Sequence, residues 1–594
     1  MTIHERISAL RMKMEEKGLQ AYIIPSEDPH GSEYVAPHWQ CRKWISGFTG
    51  SAATVVVTMD TAGLWTDFRY YIQAEEELKD SGIELFKYGM PGVPSYEQWL
   101  SENMKKGQIV GLDGKNLSVG SAEKLETLLG KTGIRLETEA PLIDGIWTED
   151  RPSLPMGSLF LHDEKYNGRS RADKLKALRD VMSRYGATHH VLSALEDICW
   201  LFNIRGKDLD TIPVAVSYAV ITMDGAELFI HEKKAAPVKE ALKKDRISIR
   251  PYDEITKALG AIGKGSLVLA DRSKLSVSLV NSLGEGAEVR YETNPTTSMK
   301  ALKNEVEIEN LRKVMERDGA AMVRFIKWIK ENSLTGQTEL SLAAKLLSFR
   351  KMGDEFAGES FTPIPGYRAH GALCHYSADE EGQFSVDEKG GLFLIDSGGQ
   401  YPGGTTDITR TLTLGNPTEQ EIRDYTLVLK GHIALSLAKF PRGTRGYQLD
   451  LLARMDMWRE GIDYGHGTGH GVGHYLSVHE GPMNISPKPI DVALEPGMVI
   501  SNEPGIYREG SHGIRIENLV LVKKDRETEF GNFYEFETLT LCPYDPELID
   551  LSLLTDEERS WINSYNQDVY NRIAPYLDDQ EKSWLKGRTI EFTL

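Results

Sequence analysis

The alternation of apolar and polar residues sorts the chain into helical and extended stretches. KNEVEIENLRKVMERDGAAMVRFIKWIKE (303–331) repeats Ile308, Leu311, Val314, Met315, Met322, Phe325, Ile326 and Ile329 at helical spacing, which predicts one long helix. Near the end, TDEERSWINSYNQDVYNRIAPYLDDQEKSWL (555–585) predicts two helices broken at Pro575. VTMDTAGLW (57–65) and ITMDGAELF (221–229) share T-M-D, then Ala, Leu and an aromatic, with β-branched residues before a polar turn. Each predicts a hairpin, and the pair predicts two related domains. Breaks fall in RPSLPMGS (151–158) and NPTTSMK (294–300). The expected division is therefore 1–155, 156–298 and 299–594, in an α/β (α+β) chain whose third part ends in a helical extension.

The third part holds nearly all the chemistry. GHGTGHGVGH (465–474) sets His466, His470 and His474 four residues apart. On a helix that spacing would make one face of a zinc site. Five alternating glycines, each costing about 1 kcal/mol against Ala, oppose a helix. In an extended segment the same spacing again puts all three on one side. The acids that could join them lie further off. In GLFLIDSGGQYPGGTTDITRTLTLG (391–415), a turn centred on Tyr401–Pro402 would set Asp396 directly opposite Asp407. Their Cβ atoms would then be about 4.5–5.5 Å apart, which like charges tolerate only around a cation. Glu503 follows a β-branched run in VISNEPGIY, and Glu517 sits in GIRIENLVLV, read as one alternating strand. Arg515, two residues from Glu517 on the same face, could be its partner. With His470, the four carboxylates carry a charge of −4 that two divalent ions would neutralise. Oxygen-rich sites with one imidazole suit Mn²⁺, Co²⁺, Fe²⁺ or Zn²⁺.

Composition narrows the classes. At 594 residues the chain has material for three or four domains. A net charge of −19 argues against nucleic acid. Cys41, Cys199, Cys374 and Cys542 form no CxxC, so buried reduced thiols are expected, and Trp200 reads as core. The first residues are charged throughout and no stretch reaches a membrane span, so the expected location is cytoplasmic. There is no P-loop, and His470 stands where GxGxxG needs its last glycine.

The order Asp396, Asp407, His470, Glu503, Glu517 resembles the dinuclear site of the pita-bread metallopeptidases. The wording is most similar to the three-domain, cytosolic-type Xaa-Pro aminopeptidases. LIDSGGQYPGGTTDITRT, VLKGHIALS, DYGHGTGHGVGHYLSVHEGP, NEPGIY and GIRIENLVLV carry that resemblance in the third part. SEYVAPHWQCRKWISGFTGSAATVVVT, LWTDFRYYIQA and DICWLFNIRG carry it in the first two. It implies two creatinase-like α/β domains ahead of a pita-bread domain. It also implies hydrolysis of the N-terminal Xaa-Pro bond of peptides by a hydroxide bridging two metal ions, with Mn²⁺ first and Zn²⁺ or Co²⁺ as alternatives. Asp396 would chelate the first ion, Asp407 and Glu517 would bridge both, and His470 and Glu503 would bind the second. Glu503 would also accept a proton. His375, His466 and His479 resemble the family's substrate-binding histidines, Arg515 an arginine behind the ligands, and Tyr507 a pocket residue. His474 has no counterpart role. A homodimer through the third domain is implied as well. Prolidase is the nearest alternative. An inactive pita-bread binding protein or a creatinase-like amidinohydrolase is disfavoured, because all five ligands are present.

Overall fold

The computed structural model describes residues 1–593, which form two compact units. The first comprises Met1–Leu161, Arg169–Leu209 and Val214–Thr296; the second comprises Thr297–Leu594 with two short earlier segments, His162–Gly168 and Asp210–Pro213.

The first unit contains two six-stranded mixed sheets of the same topology. In one, the order is Glu84–Lys87, Ala62–Thr66, Thr54–Thr58, Ala21–Ile24, Ile109–Gly111, Arg135–Glu137; in the other it is Ile247–Arg250, Ala226–Phe229, Tyr218–Thr222, His189–Leu192, Leu267–Ala270, Glu288–Tyr291. Both sheets have an antiparallel centre and parallel flanks. The two predicted hairpins occupy equivalent places and share one register, Val57 opposite Ala62 and Ile221 opposite Ala226. The tight turns match too: Thr58 N–H donates to Thr61 O and Thr222 N–H to Gly225 O. The short string shared by 57–65 and 221–229 is thus a structural repeat. The first sheet is covered on both faces, with Tyr22, Ile24, Val55 and Val57 in one core and Ala21, Ile23 and Val56 in the other. Full coverage explains the runs of β-branched residues in these strands.

In the second unit the long helix spans Glu305–Glu331, capped by Asn304, with all eight predicted positions buried. Its first half packs Ile308, Leu311 and Met315 against Val499, Leu519 and Leu521. Its second half packs Met322, Phe325, Ile326 and Ile329 against Phe393, Ile395, Ile408 and Leu412. One helix therefore backs both groups of strands that carry the candidate ligands. Those groups are the antiparallel set Ile364–Tyr367, Leu392–Ser397, Ile408–Thr413 and the set Lys439–Pro441, Gly531–Thr538, Asn518–Thr528, Val499–Asn502. The tail forms Asp556–Ile573 and Asp579–Arg588, separated by a short turn containing Pro575. All four cysteines are buried and in no disulfide, and Trp200 is in the core.

Candidate metal centre

The five predicted ligands converge from four places in the second unit. Asp396 is in the strand Leu392–Ser397, where its residue partner is Thr409, not Asp407. The turn is centred on Pro402–Gly403, one position on from the expected Tyr401–Pro402, with Tyr401 opposite Gly404 and Gln400 opposite Thr405, so each partner shifts by two residues. Continued outward, this register sets Asp407 against Gly398. A side chain at Gly398 would meet Thr406 O at 2.0 Å, so the strands close tightly there and the acids are offset diagonally. A two-residue offset preserves the face, since the side-chain period is two.

His470 donates its backbone N–H to Ser501 Oγ at 2.9 Å and its Nδ1–H to Gly471 O at 3.0 Å. That fixes the ring with Nε2 at 3.4 Å from both Asp407 Oδ2 and Glu503 Oε1. Glu503 follows the strand Val499–Asn502, donates its N–H to Thr468 O, and accepts from Ser501 Oγ at 3.0 Å. Glu517 is not inside one strand: it lies at the break between His512–Arg515 and Asn518–Thr528. Its N–H donates to Thr409 O, and its Oε2 accepts from Thr409 Oγ1 at 2.7 Å. One ligand atom each from Asp407, His470 and Glu517 lies within 4.8 Å of the others.

Arg515 pairs with Asp396 at 2.6 Å, not with Glu517. It reaches Glu517 only through Thr409, whose hydroxyl accepts from Arg515 Nε and donates to the carboxylate. Arg515 also donates to Tyr507 OH at 2.8 Å, and Tyr507 OH bonds His466 Nε2 at 2.7 Å. With His466 Nδ1 directed at Gly467 O, the polar chain runs Asp396, Arg515, Tyr507, His466. Tyr507 is thus clamped between an arginine and a histidine.

The three spaced histidines part company. His470 faces the acids and His466 faces Tyr507. His474 is buried elsewhere, with Nε2 at 3.1 Å from Tyr166 O and its ring 5.9 Å from that of His162. The glycines between them have a steric reason. A Cβ at Gly469 would meet Ser501 O at 1.9 Å, and one at Gly471 would meet Glu480 O at 2.0 Å. His479 packs edge-on against His470, centroids 4.2 Å apart. His375 is half-buried in the turn after Arg368–Ala372, and the preceding Cys374 is near enough to Tyr507 and Arg515 to influence their charges.

The electrostatics are those of crowded buried acids. Burial, then repulsion by Asp407, Glu503 and Asp396, pushes the Glu517 carboxyl well above the usual range. Burial also raises Glu503 against the pull of His470 and Arg515, and raises Asp396 against the pull of Arg515. Burial alone would lower His470, but the hydrogen bond to Asp407 and the charge of Glu503 lift it to about 9. Asp396 Oδ1 is buried with no hydrogen-bond partner, a cost that a coordinated cation removes. Four carboxylates and one fixed imidazole Nε2 fit divalent ions that prefer oxygen.

Three supporting residues were missed by the sequence reading. Thr409 and Ser501 each stand two positions from a ligand on the same face, so strand alternation pointed to them. Arg410, an arginine in an apolar run, donates to Thr409 O, Glu517 O, Asn518 Oδ1 and Cys542 O, and so fixes the backbone at Glu517.

Comparison with known proteins agrees with this geometry. Residues 309–524 match metallopeptidase family M24, 532–592 match the C-terminal region of that family, and 6–144 and 150–307 each match a creatinase/prolidase N-terminal domain. A probable Xaa-Pro aminopeptidase P of Sordaria macrospora is 41% identical, with 100% of both chains covered. The crystal structure of X-prolyl aminopeptidase from Caenorhabditis elegans, described as a cytosolic enzyme with a di-nuclear active site, is similar at TM-score 0.93 and 34% identity, covering 100% of both chains. An Xaa-Pro dipeptidase from Bacillus anthracis shares the fold at TM-score 0.50 and 23% identity over 63% of this chain and 99% of its own. The chain belongs to metallopeptidase family M24, with two creatinase/prolidase-type N-terminal domains ahead of its peptidase domain.

Proposed function

We propose that the chain is a metal-dependent aminopeptidase that hydrolyses the N-terminal Xaa-Pro bond of peptides. The observation that carries this is the buried cluster of Asp407, His470 and Glu517, flanked by Asp396 and Glu503, in a chain related along its whole length to Xaa-Pro aminopeptidases. Asp396, Asp407, His470, Glu503 and Glu517 would hold two divalent ions, Mn²⁺ in preference to Zn²⁺ or Co²⁺. When bound, these supply an activated water for attack on the scissile carbonyl.

The chain's own residues do the rest. Glu503, held by Ser501 and by its N–H to Thr468, accepts the water's proton. Arg515 orients the Asp396 carboxylate and favours its ionised form against burial. His375, His466 and His479 bind the peptide and stabilise the oxygen charge that develops on attack. Tyr507 orients His466. The division at 155 and 298 into two N-terminal domains and a catalytic domain belongs to the same reading.

The chain acts as a cytoplasmic homodimer in this proposal. Tyr447, Leu451, Met455 and Trp458 form an exposed apolar stripe along the helix Gly446–Arg459, and burial of such a stripe against a second copy accounts for it. The structural relative is described as cytosolic, and no described helix is long and apolar enough to cross a membrane.

A tertiary Xaa-Pro amide has no N–H and its ring fixes φ. A pocket built for it offers no acceptor, so a secondary amide would leave an N–H unpaired at a cost of about 1–3 kcal/mol. The deciding assay compares Xaa-Pro-Yaa, Xaa-Ala-Yaa and the Xaa-Pro dipeptide in Mn²⁺. Cleavage of the first with rejection of the second is expected. Strong preference for the dipeptide would make the enzyme a prolidase, and equal rates on Xaa-Ala-Yaa would overturn proline specificity.

A further inference from the structure

Glu339 is a fully buried carboxylate at the first position of the helix Glu339–Arg350. Its oxygens accept from Tyr367 N–H at 2.7 Å, His370 Nδ1 at 3.0 Å, Tyr376 OH at 2.7 Å and Phe384 N–H at 2.8 Å. A carboxylate has about four acceptor sites, and these four are all met by one segment, 367–384. The His370 ring is sandwiched between Tyr376 and Phe384, at 4.4 and 3.5 Å between centroids. Burying an isolated charge costs several kcal/mol, more than a simple space-filling role at a helix start would repay.

The far stem of this segment needs no help from the carboxylate. Val386 N–H donates to Gln337 O, Gly336 N–H to Val386 O, and Glu339 N–H to Phe384 O. The near part, which carries Cys374, His375 and Tyr376, reaches the carboxylate through the Tyr367 N–H and the side chains of His370 and Tyr376. Tyr376 follows His375 directly, and the start of the segment lies against the strand His512–Arg515, where a Cβ at Gly513 would meet Gly371 O at 1.7 Å.

We propose that Glu339 is a positioning residue for the metal centre: through Tyr376 and His370 it clamps the 367–384 segment and thereby sets His375 toward the substrate. This rests on the substrate-binding role given to His375 above. The helix Glu339–Arg350 and the peptide-binding histidine are then mechanically one part. The clamp acts on geometry and not on the reacting atoms.

Two measurements on the full chain test this. The first is a double-mutant cycle of Tyr376→Phe and His375→Ala, reading kcat/KM on an Xaa-Pro tripeptide at matched metal content. Tyr376→Phe is preferred to a change at Glu339 because the phenol is half-buried and its loss leaves no new buried charge. A displaced group can cost up to about a hundredfold, so a loss of about tenfold is expected. In the His375→Ala background Tyr376→Phe should add nothing. An equal loss in both backgrounds, or no loss in either, overturns the positioning role. Full activity of His375→Ala overturns the role of His375 and the proposal with it.

The second measurement is amide hydrogen exchange on metal-free protein, which is independent of activity. Tyr376→Phe and Glu339→Gln should speed exchange across 367–384 and leave the helix Glu305–Glu331 unchanged. Unchanged exchange in 367–384 overturns the clamp. If the wild type cleaves no Xaa-Pro peptide, the proposed function fails, and this result alone then decides whether the clamp exists.

Discussion

Glu517→Gln should stabilise the metal-free protein while removing its response to metal. Glu517 is 1% exposed and faces three other carboxylates. Its folded pKa lies well above the 4.5 of an unperturbed glutamate, from burial first and repulsion second. Above pH 4.5 the unfolded chain releases this proton while the folded chain retains it. Stability is therefore lost with rising pH, at about 1.4 kcal/mol per pH unit for one group, until the folded value is passed. A glutamine mimics the protonated acid, and its amide oxygen still accepts from Thr409, so the variant escapes that loss. Asp396 and Glu503 remain in both proteins, so the difference isolates Glu517. The assay is the opening free energy of amides in the strand Asn518–Thr528, followed by hydrogen exchange in metal-free protein between pH 5.5 and 8. The variant should be the better protected, by a margin that widens with pH. Adding Mn²⁺ at a hundredfold excess over its Kd should reverse the order at pH 5.5, where the margin is about 1.4 kcal/mol, since binding then stabilises the wild type by about 2.7 kcal/mol. A variant less protected than wild type at every pH would refute the reasoning, because Glu517 would then be ionised and paired without metal.

Asp407→Ala should abolish turnover, since it removes a ligand common to the cluster, whereas His474→Ala should lower thermal stability and leave kcat near normal; similar kcat for the two would reverse the division of the histidines. Glu503→Gln should lower kcat by about 10²–10⁴-fold with little change in folding stability, as expected for a lost proton acceptor, and near-normal kcat with metal bound would remove it from that role. Metal analysis after mild dialysis should give more than one equivalent of divalent ion per chain, and activity retained in chelator would end the dinuclear reading. Leu451→Glu should turn a dimer into a monomer in sedimentation, and an unchanged dimer would place the interface elsewhere.

The long helix, both hairpin repeats and the tail were legible because each rests on local periodicity, and the buried positions of 303–331 follow from spacing alone. Asp396, Asp407, His470, Glu503 and Glu517 could be picked out as candidate ligands from their order and from acids placed in apolar runs, and the fold gathers Asp407, His470 and Glu517 within 4.8 Å. The register of Asp396 and Asp407 was not. It depends on which residues make the turn, and QYPGG offers several centres; close packing at Gly398 selects one. Spacing offered Glu517 as a possible partner of Arg515, which instead pairs with Asp396, because spacing along one strand says nothing of a partner on another. His466 and His470 look equivalent by period, yet the chain around them is only partly extended and sends them to different partners. Glu339 carries no local signal at all, since its partners lie about thirty or more residues further along.

The segments His162–Gly168 and Asp210–Pro213 belong to the second unit although the residues around them belong to the first. They are tied in by polar bonds: His162 to Pro402 O, Asn304 to Asn167 O, His474 to Tyr166 O, and Gln400 to Thr211 O. No single cut can therefore release the peptidase unit intact. A fragment starting at residue 299 would strip these partners from Asn304, Gln400 and His474 and leave their polar groups facing a gap. The covalent path also couples the fates of the two units. A metal ion that steadies the second unit resists extraction of these two segments, so loading the site should slow proteolysis in the 156–298 region, far along the chain from any ligand.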